Sequence, residues 1–234
     1  MPSHRHLLTG LLLAALPLAT SAQTSDEAPK SLNWNVTATS EYLFRGISQS
    51  DDKPALQAGF DYNFSTGLYA GAWTSTVDFG DSTDAELDTF VGWNRDLGES
   101  LNIDLQWIRY NYVGEPAAVD YAYNEWIGIL KVSKVYGFTL GYTDDYINTG
   151  ENGFYYAVAG DWDLGSDYAL HAGVGYTVIG GPAKNYLDYS LGVSRKFGVF
   201  TVGLNYTDTS KGARTNFGKD AGEEKIGLSV SIEG

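Results

Sequence analysis

The chain has 234 residues and carries 29 Asp+Glu against 15 Lys+Arg, a formal net charge of −14 at pH 7. An acidic balance of this size repels polyanions and argues against nucleic acid as a partner. The absence of cysteine excludes disulfides and thiolate metal sites, so packing and hydrogen bonding must hold the molecule together.

Residues 1–22 read as a cleavable signal peptide, with Arg5 near the start, an apolar run from Leu7 to Leu18, and Thr20-Ser21-Ala22 placing small residues at the cleavage site. The run is about 12 residues long, whereas a spanning helix needs roughly 20. Cleavage removes one base and no acid, so Lys+Arg falls from 15 to 14 against 29 Asp+Glu and the net charge becomes −15. Residues 23–31, QTSDEAPKS, are polar and aperiodic and predict a short disordered lead-in to a single domain over 32–234.

Twelve segments of alternating apolar and polar residues follow. Residues 34–45 place Trp34, Val36, Ala38, Tyr42 and Phe44 on one face and Glu41 and Arg45 on the other. Residues 54–64 set Leu56, Ala58, Phe60, Tyr62 and Phe64 against Gln57, Gly59, Asp61 and Asn63. In 69–79 the apolar side, expected outward, is Tyr69, Gly71, Trp73, Ser75, Val77 and Phe79. In 86–94 Leu87, Val91 and Trp93 oppose Glu86, Asp88, Gly92 and Asn94, and Phe90 interrupts the polar row as a lumen-filling side chain.

Residues 101–112 begin with Leu101, Ile103, Leu105 and Trp107 outward, then lose phase from Ile108 to Tyr112, which predicts a bulge or a rim. Residues 123–132 give Trp126, Gly128, Leu130 and Val132 as the outward set. Six clearer segments complete the series, with outward rows such as Phe154/Tyr156/Val158/Trp162, Leu187/Tyr189/Leu191/Val193 and Ile226/Leu228/Val230/Ile232.

Connections alternate between short (65–67, 96–100, 133–135, 164–167, 196–198) and longer (46–54, 80–85, 114–121, 147–153, 179–185, 208–223). This phase predicts an all-β fold, a transmembrane antiparallel up-and-down β-barrel of twelve strands, with both termini at the short-turn end. Ten or fourteen strands follow if the fifth and sixth segments are misread, and a soluble two-sheet sandwich is the alternative architecture. Segments of about 9 to 11 residues suit tilted strands that cross a hydrocarbon layer, and closure satisfies every edge. Exposed apolar rows cannot fold safely in water, so outer-membrane lipid and the barrel assembly machinery are expected partners.

The run Ser40-Glu41-Tyr42-Leu43-Phe44-Arg45-Gly46-Ile47-Ser48-Gln49-Ser50, followed by Lys53-Pro54-Ala55, resembles the TorF-type porin family of proteobacteria, whose porin name is itself an expectation. Leu87 to Gly92, Tyr110-Asn111-Tyr112, the Asp120-Tyr121/Glu125 region and Gly141-Tyr142 are similar too. The resemblance implies a cell outer-membrane location and a pore. The chain ends Ser231-Ile232-Glu233-Gly234, without the terminal aromatic residue that assembly machinery reads in many such barrels.

The alternation sends Glu41, Asp61, Glu86, Asp88, Asp104, Glu125, Asp161 and Asp188 into the lumen beside Arg45, Lys131, His171 and Lys225. Excess carboxylates favour cations, so the expected function is a porin passing small cationic or neutral solutes through a narrow acidic lumen. The alternative is a plugged, non-transporting barrel with an envelope-structural or surface-interaction role. Arg45 is expected to bridge carboxylates of neighbouring strands, such as Asp61. His171 is the only histidine after the leader, and no Ser-His-Asp arrangement is readable around it, so no catalytic residue, cofactor or metal site is expected. Loop acids such as Asp78, Asp81, Asp84 and Asp144-Asp145 have no EF-hand spacing and read as solvated. Solute identity and oligomeric state have no signature in the sequence.

Overall fold

The computed structural model describes residues 31–234; the expected signal peptide and residues 23–30 of the lead-in lie outside the described residues. Strand β1 (Ser31–Thr39) is followed by two short strands, β2 (Leu43–Phe44) and β3 (Ile47–Ser48). Next come β4 (Ala55–Asn63), β5 (Leu68–Thr76), β6 (Ala85–Asp96), β7 (Leu101–Val113), β8 (Tyr123–Val132) and β9 (Tyr136–Thr143). Beyond a 3-10 turn at Tyr146–Asn148 lie β10 (Gly153–Gly165), β11 (Tyr168–Ile179), β12 (Tyr186–Phe197) and β13 (Phe200–Thr209). Helices α1 (Lys211–Phe217) and α2 (Lys219–Gly222) lead to β14 (Lys225–Glu233).

Twelve of these strands, β1 and β4 to β14, pair antiparallel with their chain neighbours, and β1 closes on β14 through pairs such as Val36↔Ile232 and Ala38↔Val230. Every ladder is therefore satisfied without a free edge. The tight turns all fall at one end, and the six long connections all fall at the other.

The side-chain period of two divides each strand into a wet and an apolar face. On β4, Leu56 and Phe60 point outward at 58% and 54% exposure while Gln57 and Asp61 are buried. Exposed Tyr and Trp gather toward the long-loop end (Trp126, Tyr142, Tyr156, Tyr176, Tyr189, Tyr206) and aromatics again toward the short-turn end (Trp34, Tyr62, Tyr136, Tyr168, Phe200). Leu and Val fill the outward positions between. Two aromatic girdles flanking an aliphatic band are what a wall immersed in lipid requires. From Tyr189 to Phe197 on β12 the band spans on the order of 20 Å once strand tilt is allowed for.

Three expectations are corrected. On β5 the phase is inverted: Tyr69, Trp73 and Ser75 are buried inside, and Val77 beyond the strand is buried as well, while Leu68, Ala70, Ala72 and Thr74 face out. Pairing of Asp61 with Gly71 and of Gln57 with Ser75 imposes this register, and the aromatics fill the lumen rather than meet lipid. On β7 there is no bulge. The ladder with β6 runs unbroken from Ala85↔Val113 to Asp96↔Asn102, and Ile108, Tyr110 and Tyr112 are apolar residues that face inward. The one register shift in the β10–β11 ladder lies between Asp163 and Gly165.

The third correction concerns the first strand. It stops at Thr39, and residues 40–54 turn inward as a loop carrying the β2–β3 hairpin, so Glu41 and Arg45 are not strand positions. Trp73, Tyr69, Phe90, Ile108, Tyr110 and Tyr123 form one buried cluster with Tyr42 of this loop. A second cluster, Ile47, Tyr146, Ile179, Tyr186 and Ala213, joins the hairpin to the long loops and to α1 at the mouth.

Candidate functional site

The hairpin is built by a two-residue turn, Arg45-Gly46, between Leu43-Phe44 and Ile47-Ser48, with φ of 49° and 76° at its two central positions. Positive φ at both is the signature of the tightest hairpin turns and favours glycine. Gly46 is needed twice over, because a Cβ there would stand 2.5 Å from Thr209 Cγ2 on the barrel wall. Arg45 occupies the strained position, and its contacts hold it there.

Its Nη2 donates to both carboxylate oxygens of Glu125 on β8, at 2.8 and 2.9 Å. The guanidinium also lies over the rings of Tyr155 (4.0 Å) and Phe44 (4.7 Å). Tyr110 donates to the second Glu125 oxygen at 3.0 Å and stacks on Tyr123 with centroids 4.4 Å apart. Tyr155 in turn donates to Asp188 at 3.3 Å. The opposing wall is shaved to make room: a Cβ on Gly141 would lie 2.8 Å from Glu125 Oε1, and one on Gly175 would lie 2.3 Å from the Tyr155 hydroxyl.

The loop that carries the hairpin is clasped at its base. Tyr42 N–H donates to Ser50 Oγ (2.9 Å), Gln49 N–H to Tyr42 O (2.8 Å), and Tyr42 meets Trp73 edge-on. Lys225 of β14 hydrogen-bonds Asp52 and stands 3.9 Å from Glu41, while Lys53 hydrogen-bonds Asp78. Hydrogen bonding to Lys225 holds the Asp52 carboxyl below the ordinary carboxylate range, and Lys53, with the Gly80 N–H, does the same for Asp78.

The hairpin separates two cavities. One, of about 330 Å³, opens toward the short-turn end and is walled by Asp88, Asp104, Lys131, Asp161, His171 and Asp188 among others. The second, of about 1050 Å³, lies under the long loops and is lined by Phe79, Tyr112, Tyr121, Tyr146, Tyr186 and Phe217 with Asp51, Asp52, Asp78 and Glu151. Phe44 belongs to the walls of both.

The remaining charged residues named from the sequence face the interior in small groups. Asp61 accepts from Asn33 (2.9 Å) and Asn63 (2.6 Å), so it is not the partner of Arg45; the hairpin carries that guanidinium across the lumen to Glu125 instead. Asp104 accepts from Tyr69 (2.6 Å) and Asn94 (2.8 Å). Glu86 and Asp88 are buried beside Tyr42 and Tyr112, and Tyr112 donates to Glu86 at 3.0 Å. Lys131 faces the inner cavity.

Three adjacent strands also bring together Asp161, His171 and Ser190, with Nδ1 2.7 Å from the carboxylate and Nε2 3.4 Å from the hydroxyl. Linear reading missed this trio, because only the registers Asp161↔His171 and Gly173↔Ser190 make it. Backbone N–H groups around Ser190 are engaged in the ladders with β11 and β13 and are not free to cradle an oxyanion. The trio therefore orients a histidine in the inner cavity without the electrostatic part of acyl-transfer chemistry. The hairpin was missed too, although Arg45-Gly46 between Leu43-Phe44 and Ile47-Ser48 is a turn signal.

Among curated proteins no sequence matches. Solved structures share the fold at low identity. A KdgM porin is similar with a TM-score of 0.55 at 9% identity, over 86% of this chain and 97% of that one. A NanC porin gives 0.55 at 11% identity, over 86% and 98%. A KdgM porin in complex with disordered oligogalacturonate gives 0.52 at 8%, over 88% and 98%. The barrel is thus porin-like in fold. The Gcw_chp family model, described as a bacterial protein of unknown function, matches residues 23–231, and the chain belongs to that family.

Proposed function

We propose that the chain is an outer-membrane porin that lets small cationic or neutral solutes diffuse passively, with the β2–β3 hairpin as its selecting constriction. The observation that carries this reading is the hairpin at the waist of a closed barrel, standing between two cavities with Phe44 in both walls and Arg45 pinned to Glu125. Such an element limits bore and chooses solutes by size and charge. The girdles, the long and short connections, and the resemblance of residues 40–55 to TorF-type porins support the outer-membrane location.

The inner cavity carries Glu41, Asp88, Asp104, Asp161, Asp188 and Glu233 against Arg45, Lys131 and Lys134, so its field attracts cations. Asp61, Glu86, Glu125, His171 and Lys225 complete the proposed pore-lining set. An oligogalacturonate is a polyanion, opposite in sign to the solute these walls favour. No catalytic step is assigned to the lumen.

A second reading, a plugged structural barrel, draws on the aromatic cluster around Tyr42 and Trp73, which fills the lumen beside the β5–β8 wall. Single-channel currents of the refolded protein in a planar bilayer under a potassium chloride gradient separate the two. A cation-directed reversal potential supports the porin. Silence from both the wild type and a variant with a weakened hairpin favours the plug.

A further inference from the structure

The outward wall is apolar through its middle, and toward the long-loop end β7 carries an outward-facing base. Its outward row runs Leu101, Ile103, Leu105 and Trp107 toward the long-loop end and then continues with Arg109 and Asn111. The direct cross-strand partners of Arg109 are Thr89 on β6 and Asn124 on β8, so four polar side chains sit together. Trp107 pairs with Trp126 of the girdle, and Arg109 lies one outward position beyond that pair. A guanidinium is costly in hydrocarbon and nearly free at the interface, so this position is the level of the lipid headgroups.

The geometry prepares the group for a ligand. Arg109 Nε donates to Asn111 Oδ1 at 3.3 Å, and Asn111 Nδ2 is itself held by Leu87 O at 3.1 Å. Among the described residues no carboxylate pairs with the Nη groups, which form the edge that matches two phosphate oxygens at once. Elsewhere on the strands' outward face, Arg95 and Arg195 lie near the short-turn end, and Arg195 is stacked on Tyr168 and Phe197. In a chain of net charge −14, Arg109 is the cation that the lipid-facing wall offers to an anion at the long-loop rim.

We infer that Arg109, with Thr89, Asn111 and Asn124, binds the phosphate of an anionic lipid headgroup in the outer leaflet. The inference rests on the outer-membrane reading above. Wild type and Arg109→Gln are refolded into vesicles of phosphatidylcholine alone and of phosphatidylcholine with about one-tenth lipid A. Lipid retained after detergent release is then counted by native mass spectrometry. The substitution sits on the outer wall and keeps a hydrogen-bonding side chain, so the barrel should still close.

The expected result is lipid A retention at least about tenfold higher in the wild type, in line with loss of a charged hydrogen bond, with equal retention of phosphatidylcholine and no displacement by millimolar inorganic phosphate. Equal lipid A retention by the two proteins overturns the site. Displacement by inorganic phosphate overturns the lipid as its source, and a changed oligomeric state with unchanged lipid assigns the patch to a second copy of the chain instead. Failure of both proteins to insert into either vesicle overturns the membrane reading itself and this site with it.

Discussion

Removing the Arg45 side chain should open the lumen without unfolding the barrel. Arg45 and Glu125 keep only 7% and 2% of their side-chain surface, and the guanidinium is engaged by two carboxylate oxygens and two rings. Breaking a buried pair by deleting one partner costs about 3–5 kcal/mol, because the survivor stays buried and uncompensated. Here Glu125 would keep only Tyr110 as a donor.

The twelve-strand ladder closes without the hairpin, so the loss falls on docking of the hairpin rather than on the barrel. It shifts the docked-to-released equilibrium by about two to four orders of magnitude. Arg45→Ala should therefore raise single-channel conductance or open time in a planar bilayer, while the folded barrel keeps its heat-modifiable mobility on a gel. Arg45→Ala/Glu125→Gln should recover part of the docking, since no unpaired charge remains. Loss of the folded band with unchanged conductance would refute the reasoning, because it would make Arg45 a strut of the wall.

Trp73→Ala should cost about 3–5 kcal/mol, as expected for a large buried aromatic, and widen the lumen where Trp73 meets Tyr42; an unchanged urea midpoint in detergent would contradict its burial at 6% exposure. Gly175→Ala should cost about 1–3 kcal/mol through overpacking, because its Cβ would meet Tyr155 and Asp188, whereas Gly137→Ala, with open space around it, should be neutral in the same denaturation assay. The loop clasp should resist acid. The folded-state pKa of Asp52 is depressed by Lys225, so its contribution is present above the unfolded value of about 3.9 and is lost as pH falls through the lower folded value. The part of the channel noise that depends on Asp52 should accordingly appear only below about pH 4, and Asp52→Asn should be noisier at neutral pH and lack that acid-dependent part.

Much of the barrel was legible because lipid and water impose opposite chemistry on alternate residues, as in Leu56, Ala58, Phe60 and Tyr62 of β4. Alternation defines two faces without saying which one is inside. On β5, Tyr69 and Trp73 could serve lipid or lumen equally, and only the register with β4 decides. On β7 the apparent loss of phase was chemical: Ile108 and Tyr110 fill the interior while Arg109 and Asn111 face out near the rim. The inward fold of residues 40–54 stayed hidden because Tyr42 and Phe44 continue the apolar period of β1 past its end. Arg45 reaches Glu125 across 80 positions of sequence, and no local pattern encodes such a contact.

The central claim is that the hairpin tip rests against the wall and limits the pore. Gln49 N–H already donates to Tyr42 O at 2.8 Å, so residues 43–48 can be replaced by a two-residue Asn-Gly turn that removes the tip and keeps the clasped base. Single-channel current through this variant should exceed that of the wild type, while the folded barrel keeps its heat-modifiable mobility. A folded variant that carries the same current as the wild type would contradict the account.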